Sequence, residues 1–563
     1  MCKFPALLSG CAALLLSLAA PSFAVDNTTS ALGTNFWFFG DNQAIWPFVD
    51  FFKQSRPFWS ATGSSWSDNR ALALDTNGYP AFLQSGQYAA TLLFWDAQGP
   101  IPAGDWVALW DGDGDISIDN TAATVASGGA NRLVVTMRAG ADPRLRLLIT
   151  RTNAANHLRN IRFIAPGFES TYQTQVFHPA FLDKLSPFRV LRFMDWMAAN
   201  SNPQVNWTDR NTPNSQTYAN DHGVCIERLV ELCNRLNCDG WFCLPVRGTD
   251  DCFRQYATYI RDHLKTNCKA YFEYGNEVWN GGVQHGVAYV ESLGVSMGFA
   301  SGWTAQHHGW AKRMTDMLTI VEQVYAGKMN QCVRVAATQV GNTGVADGIL
   351  NYYNGKSHAD VLAVAPYFNT GGATGSDDQI IAALASQVSQ IGTWIQGDLS
   401  IAKSDNLRLV CYESGLDIWN LSDAQKTSVR FDPRMKAIYK TYLDGWKSGG
   451  GTLIIQYTFC DPYWGLMREM DDSLSRAPMY AAALEWVAAN PRWWTEDRAT
   501  RIVPFLGQPT AAPEMMHQAI FRLDGRLVNA FPWILSKENP VTLPAGAYYQ
   551  AGDRNKPPRI IVR

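Results

Sequence analysis

Beyond its first two dozen residues, the chain has no run of ~18 uncharged apolar residues, so it offers no helix long enough to cross a bilayer. It also lacks any block of like charge. Its 47 Lys and Arg stand against 50 Asp and Glu, for a net charge of −3. That balance provides no basic face for nucleic acid and no solvated acidic or basic tail. No C-x-x-C pair occurs, no His–Cys spacing suits zinc, and none of the nine histidines falls in an H-E-x-x-H pattern. Metal-assisted hydrolysis therefore has no motif behind it, and neither a metal nor a cofactor is expected. Internal repeats and low-complexity tracts are absent as well.

The N-terminus reads as a secretion signal: Lys3, an apolar run from Ala6 to Ala20, and a small-x-small site at Ser22-Phe23-Ala24, with cleavage expected after Ala24. Leu8-Ser9-Gly10-Cys11 has the form of a lipoprotein box but precedes most of the apolar run, which argues against lipidation. The expected location is secreted or periplasmic. Of 11 cysteines, two lie in the signal. The rest are Cys225, Cys233, Cys238, Cys243, Cys252, Cys268, Cys332, Cys411 and Cys460, an odd set that leaves at least one free thiol if the others pair. Cys238, Cys268 and Cys332 each precede a strand-like run and would share one rim of a parallel barrel. Cys238–Cys268 is then the first pair for a bridge, with small buried hydrophobes as the equal alternative.

What the chain has in quantity is aromatic: Trp 21, Tyr 21 and Phe 27. These rings serve either a large core or the stacking of sugar faces. A length of 563 residues implies several units. From about 166 to 490, apolar runs alternate with amphipathic stretches. The runs are Val190–Asp195, Gly240–Val246, Ala270–Glu277, Arg334–Gln339, Val361–Phe368, Arg408–Glu413 and Thr452–Phe459. Between them, Ile226, Leu229, Val230, Cys233 and Leu236 recur at helical spacing, as do Phe253, Tyr256, Ile260 and Leu264. Near-continuous apolar strands joined by helices indicate a parallel sheet covered on both faces. With an eighth strand upstream at Gly33–Phe39, the count is that of a (β/α)8 TIM barrel.

The full division is a signal peptide (1–24), the first barrel unit (25–71), an inserted β-sandwich (72–165), the remainder of the barrel (166–490) and a C-terminal β region (491–563). The insert is inferred from short strands separated by turns such as Asp111-Gly-Asp113-Gly-Asp115 and Ser127-Gly-Gly. The tail, with Leu527–Phe531 and Arg559–Arg563 as its apolar runs, is expected to pack on the barrel or the insert.

Two of the apolar runs end on a glutamate, at Tyr271-Phe-Glu273-Tyr-Gly275-Asn276-Glu277 and at Leu409-Val-Cys411-Tyr412-Glu413-Ser-Gly415. A carboxylate at the end of a buried strand is costly unless it is hydrogen-bonded or used. A pair of them suits glycoside hydrolysis, where one protonates the leaving oxygen and the other works on the opposite face of the sugar. On the count above they end strands 4 and 7, on the face where barrel enzymes keep their sites. Alternation along strand 4 puts Glu273, Gly275 and Glu277 on the axis, with Gly275 leaving room for substrate. On strand 7, Glu413 shares parity with Leu409 and Cys411.

Glu-x-x-Asn-Glu (273–277) and Tyr-Glu-x-Gly (412–415) together resemble the acid/base and nucleophile motifs of the clan A retaining glycoside hydrolases, the group of cellulases, mannanases and xylanases. The resemblance spans the barrel only and assigns no family within the clan. It implies Glu277 as acid/base, Glu413 as nucleophile and Asn276 as a ligand of the sugar 2-hydroxyl. Arg192 would keep the nucleophile ionised, Tyr367 would hydrogen-bond Glu413, and the pKa of Glu277 would be raised by its neighbour. Where the clan often has a strand-8 tryptophan, this chain has Tyr457 and Phe459, with Trp464 following. Among Trp196, Trp279, Trp303, Trp310, Trp419 and Trp464, Trp279 is the first choice for sugar stacking. The function so implied is a secreted retaining β-glycoside hydrolase acting on a polysaccharide or oligosaccharide. The alternative is a non-catalytic carbohydrate-binding protein on the same barrel, which the intact glutamate pair disfavours. A polysaccharide lyase would want a Tyr or His base and a uronate-neutralising group. The aspartates of 111–115 lack the EF-hand glycine and distal glutamate and read as a hairpin turn. Asn27, Asn206 and Asn420 match the glycan acceptor pattern.

Overall fold

The structure, a computed structural model, describes residues 27–119 and 121–495, and the backbone of four short strands between 520 and 562. The expected leader and its expected cleavage site lie outside the described residues. Two compact units are present, 1–497 and 498–563.

Eight parallel strands close into a barrel: β1 (Leu32–Asn35), β2 (Val190–Arg192), β3 (Asp239–Leu244), β4 (Ala270–Tyr274), β5 (Cys332–Ala337), β6 (Val361–Val364), β7 (Arg408–Cys411) and β8 (Ile454–Gln456). β8 pairs back onto β1 with Leu32 opposite Ile454. All eight runs expected from the sequence are barrel strands; seven are shorter than their apolar runs, and β5 matches its run in length but starts two residues earlier. Alternation sorts their side chains. Val190, Trp241, Tyr271, Val335, Val361, Val410 and Ile455 fill the barrel, while Leu191, Phe242, Phe272, Leu362 and Leu409 face the helices. At Gly33 the interior has no room for a side chain, because a Cβ there would lie 2.3 Å from Ile455 Cδ1 and 2.6 Å from the Val190 carbonyl oxygen.

The helices follow the expected periodicity. Ile226–Leu236 buries Ile226, Leu229, Val230 and Cys233 and ends at Asn237 in the left-handed conformation. Asp250–His263 is capped by the Thr249 side chain and buries Phe253, Tyr256 and Ile260. A 22-residue helix, Trp303–Val324, links β4 to β5.

Between β1 and β2 two four-stranded antiparallel sheets are inserted. One runs Trp59–Ala61, Tyr88–Leu93, Leu145–Thr152, Gly114–Asp119; the other runs Arg159–Ile164, Gly104–Asp111, Arg132–Met137, Thr124–Ser127. Their inner residues, including Ala89, Leu147, Ile149, Trp106, Val135 and Phe163, share one core and make a two-layer sandwich. Its first strand, Trp59–Ala61, pairs with Tyr88–Leu93 and so begins before residue 72, the expected start of the insert. That strand is only three residues long and too short to carry an alternation signal. The Asp111–Asp115 segment is not the hairpin turn expected from the sequence: it is a tight connection that carries the chain from Gly104–Asp111 in one sheet to Gly114–Asp119 in the other. Gly112 adopts φ +91 and a Cβ there would meet the His157 carbonyl oxygen at 2.2 Å, and Arg151 binds both Asp113 (2.9 Å) and Asp115 (2.7 Å).

The nine cysteines from Cys225 to Cys460 are all buried free thiols, so the 238–268 bridge is not formed. Cys238 and Cys268 precede β3 and β4 on the same rim, and there the sulfurs serve as core groups. The second unit contributes a four-stranded antiparallel sheet from Ile520–Arg522, Leu527–Asn529, Ala547–Gln550 and Arg559–Val562. Among the described residues no helix is long and apolar enough to cross a membrane.

Candidate active site

The barrel mouth is organised around Arg192, the last residue of β2 and fully buried. Its guanidinium reaches groups on or just after three other strands. Nε and Nη2 donate to the two oxygens of Glu273 on β4 (2.9 and 3.0 Å). Nη1 donates to Glu413 Oε1 after β7 (2.7 Å) and to Asn35 Oδ1 on β1 (3.1 Å). Nη2 also donates to Asn276 Oδ1 (2.8 Å). Burial disfavours the charge of Arg192, but the acidic groups around it outweigh that and hold it protonated. The inward carboxylate of Glu273 is thereby explained. It also accepts from Trp241 Nε1 on β3 (2.7 Å) and fixes one edge of the guanidinium while the other edge faces Glu413.

Both oxygens of Glu413 are engaged, Oε1 by Arg192 and Oε2 by the Tyr367 hydroxyl (2.9 Å). Burial is the largest influence on this carboxyl and pushes it up, to about 8. The Arg192 cation and the Tyr367 hydrogen bond pull it down, and the charge of Glu277 pushes it further up. The sequence expectation that Arg192 keeps Glu413 ionised has the right sign for that pair, but desolvation exceeds it. Glu277 is half-buried. Its Oε1 accepts from the Tyr412 hydroxyl (2.7 Å) and its Oε2 from Asn280 Nδ2 (2.9 Å). Tyr412, adjacent to Glu413 in the chain, thus ties the two glutamates together, and its ring lies 5.0 Å from the Arg192 guanidinium.

Strand parity does not carry either glutamate into the mouth. β4 ends at Tyr274, after which Gly275 (φ +62) and Glu277 (φ +39) both turn left-handed. For a glutamate that conformation is strained, by about 1–3 kcal/mol. Gly275 makes room for protein and not for substrate, since a Cβ there would sit 2.5 Å from Val246 Cγ2 and 3.0 Å from Val278 Cγ1. On β7, Leu409 and Cys411 face the helices while Val410 and Tyr412 face the axis. Glu413 enters the mouth because the strand stops at Cys411.

Asn276 is buried between Arg192 and Asn200, to which its Nδ2 donates (2.9 Å). Tyr457 follows β8 and donates to Asp195 Oδ2 (3.1 Å). Its ring lies 5.7 Å from Trp464, which is 6.0 Å from Tyr367. Trp279 is half-buried with its ring 4.9 Å from Trp310, so it packs beside the mouth against protein. Phe459 is fully buried. Four residues that sequence reasoning did not single out complete the arrangement: Asn35, Tyr412, Asn280 and Asp195. Burial raises the Asp195 carboxyl to about 7, against the lowering effect of Tyr457 and Arg192. Asp195 closes an apolar strand-like run, as do the glutamates, and that position was its signal, whereas Asn35 lies inside the Gly33–Phe39 run. Among the described residues no group of three or more His, Cys, Asp or Glu is placed to hold a metal ion.

No family model matches the chain, and no curated protein does. Among solved structures it is similar to an arabinofuranosidase of the GH51 type from Xanthomonas axonopodis pv. citri (14% identity, 55% of this chain and 66% of that one, TM-score 0.39). It is also similar to the Penicillium canescens endo-1,4-beta-xylanase XylE (13% identity, 58% and 93%, TM-score 0.31) and to a GH5-4 broad specificity endoglucanase from Clostridium acetobutylicum (10% identity, 54% and 88%, TM-score 0.34). The match spans just under two thirds of the length of the arabinofuranosidase.

Proposed function

We propose that the protein is an exported retaining β-glycoside hydrolase that cleaves a polysaccharide or oligosaccharide by double displacement. The observation carrying this is the convergence of Glu277 and Glu413, from the ends of β4 and β7, on one mouth where Tyr412 binds the first and adjoins the second. Glu413 is the nucleophile. Its two oxygens are held by Arg192 and Tyr367, so the carboxylate is oriented before substrate arrives. As it attacks the anomeric carbon, Glu277 gives its proton to the leaving oxygen. Glu277, now ionised, then takes a proton from water, which opens the glycosyl-enzyme and restores both groups. The charge lost from Glu413 in forming the ester leaves Arg192 with Glu273 as its remaining carboxylate partner, so the cation stays paired through the cycle.

The reading is tested by a hydrolysis screen over cellulose, xylan, mannan, β-1,3-glucan and aryl β-glycosides, with Glu413→Ala as control. Turnover by the parent that the variant loses, with the product first appearing as the β-anomer, is the expected result. First appearance of the α-anomer means inversion, which requires carboxyls ~6.5–9.5 Å apart in place of ~5–5.5 Å, and rejects the mechanism.

A further inference from the structure

The aromatic side chains of the mouth form a continuous row. Trp464 neighbours Tyr457, whose ring is 6.0 Å from Trp37, and Trp37 is 5.8 Å from Phe38. On the other side Trp464 neighbours Trp419 at 6.2 Å, with ring planes parallel to within 15°. The middle of the row is tied to the site, since Tyr367 beside Trp464 binds Glu413 and Tyr457 binds Asp195 at the same mouth. Both ends come out into solvent, where Trp419 is 63% exposed and Phe38 is 44% exposed.

Trp419 is not a loose surface ring. The Lys426 ammonium lies 4.2 Å from its centroid, and Lys426 is itself buried and bonded to Asp423 (3.1 Å). One face of the indole is thereby held by a cation while most of the ring stays in water. A fixed solvent-facing indole adds little to a core, but it presents ready apolar area to a ligand at small entropic cost. The rings are interleaved with hydroxyls and carboxylates, which matches a ligand with apolar faces and polar edges. A row open at both ends lets a chain pass through, whereas a pocket would receive a chain terminus.

We infer that Trp419 and Trp464 on one side, and Trp37 and Phe38 on the other, bind successive units of a linear β-linked pyranosyl polysaccharide, so that the chain is cut internally. The inference deepens the hydrolase reading and rests on it for the cutting, although the binding stands independently.

Affinity electrophoresis of full-length Glu413→Gln protein, in gels containing hydroxyethylcellulose, xylan, glucomannan or laminarin, tests it. At least one polymer is expected to retard the protein. Adding Trp419→Ala is expected to weaken that interaction about tenfold, the scale of one well-stacked ring, and Phe38→Ala is expected to weaken it in the same direction. Trp66→Ala, at a ring 43% exposed on the sandwich, is expected to change nothing. Retardation by none of the polymers, or retention indifferent to Trp419, overturns the proposal. Indifference to Phe38 overturns its two-sided, internal-cutting form. A parent that cleaves aryl glycosides while no polymer is retained leaves the hydrolase standing and removes the platform. Retention that depends on Trp419 in a protein with no turnover does the reverse.

Discussion

At the scale of single residues, the site is a contest between desolvation and charge pairing. Glu413 must be ionised to attack, yet burial raises it to about 8. Its ionised fraction grows as pH rises, so kcat/KM is expected to climb with pH on a limb displaced upward from the ordinary carboxylate value of 4.5 toward 8. Tyr367→Phe removes a hydrogen bond that favours the ionised form, and should move that limb further up while lowering the plateau about tenfold. A limb at or below 4.5, or one unmoved by Tyr367→Phe, would contradict the assignment of Glu413. Arg192 is the second test. Arg192→Met leaves Glu273 and Glu413, both under 10% exposed, without their cation, and breaking a buried pair from one side costs about 3–5 kcal/mol. Chemical denaturation is expected to register that loss, and a loss below about 1 kcal/mol would mean the cation is not integral to the mouth.

At the scale of elements, the strands were legible and their ends were not. Apolar runs bounded by helical periodicity located all eight barrel strands, because burial on both faces writes hydrophobic character into every position of a strand. The three-residue strand Trp59–Ala61 left no such trace. Period-2 reasoning placed Glu273 correctly on the axis, but it failed at Gly275, Glu277 and Glu413, all beyond the last paired residue, where the chain leaves extended geometry. Glu277 and Glu413 were recoverable from their place at the ends of apolar runs, from motif and from strand order. The role of Tyr412 was hidden for a related reason: its partner Glu277 lies on another strand, and no local spacing encodes that contact. Close approach inside the barrel can be probed at Gly33. Gly33→Ala drives a methyl into Ile455 and the Val190 carbonyl and should destabilise by about 1–3 kcal/mol. An unchanged melting temperature would show that β1 and β8 are not packed as described.

Over the whole molecule, the arrangement is a barrel whose first loop carries a sandwich and whose buried sulfurs remain reduced. Cysteine number and position were compatible with a bridge at one rim, and composition could not distinguish that from packing. The structure gives nine buried free thiols, so the native protein produced without residues 1–24 is expected to react with almost no thiol reagent and the unfolded protein with nine equivalents. Seven equivalents would restore one bridge.

Retaining hydrolysis by this protein depends most directly on Glu413 forming the bond to the sugar. Inactivation with an activated 2-deoxy-2-fluoro glycoside of the sugar the parent cleaves, followed by proteolysis and mass spectrometry, reads this directly. One glycosyl adduct on Glu413 is the expected result. An adduct on Glu277 or elsewhere, or complete inactivation with no covalent sugar, would contradict it.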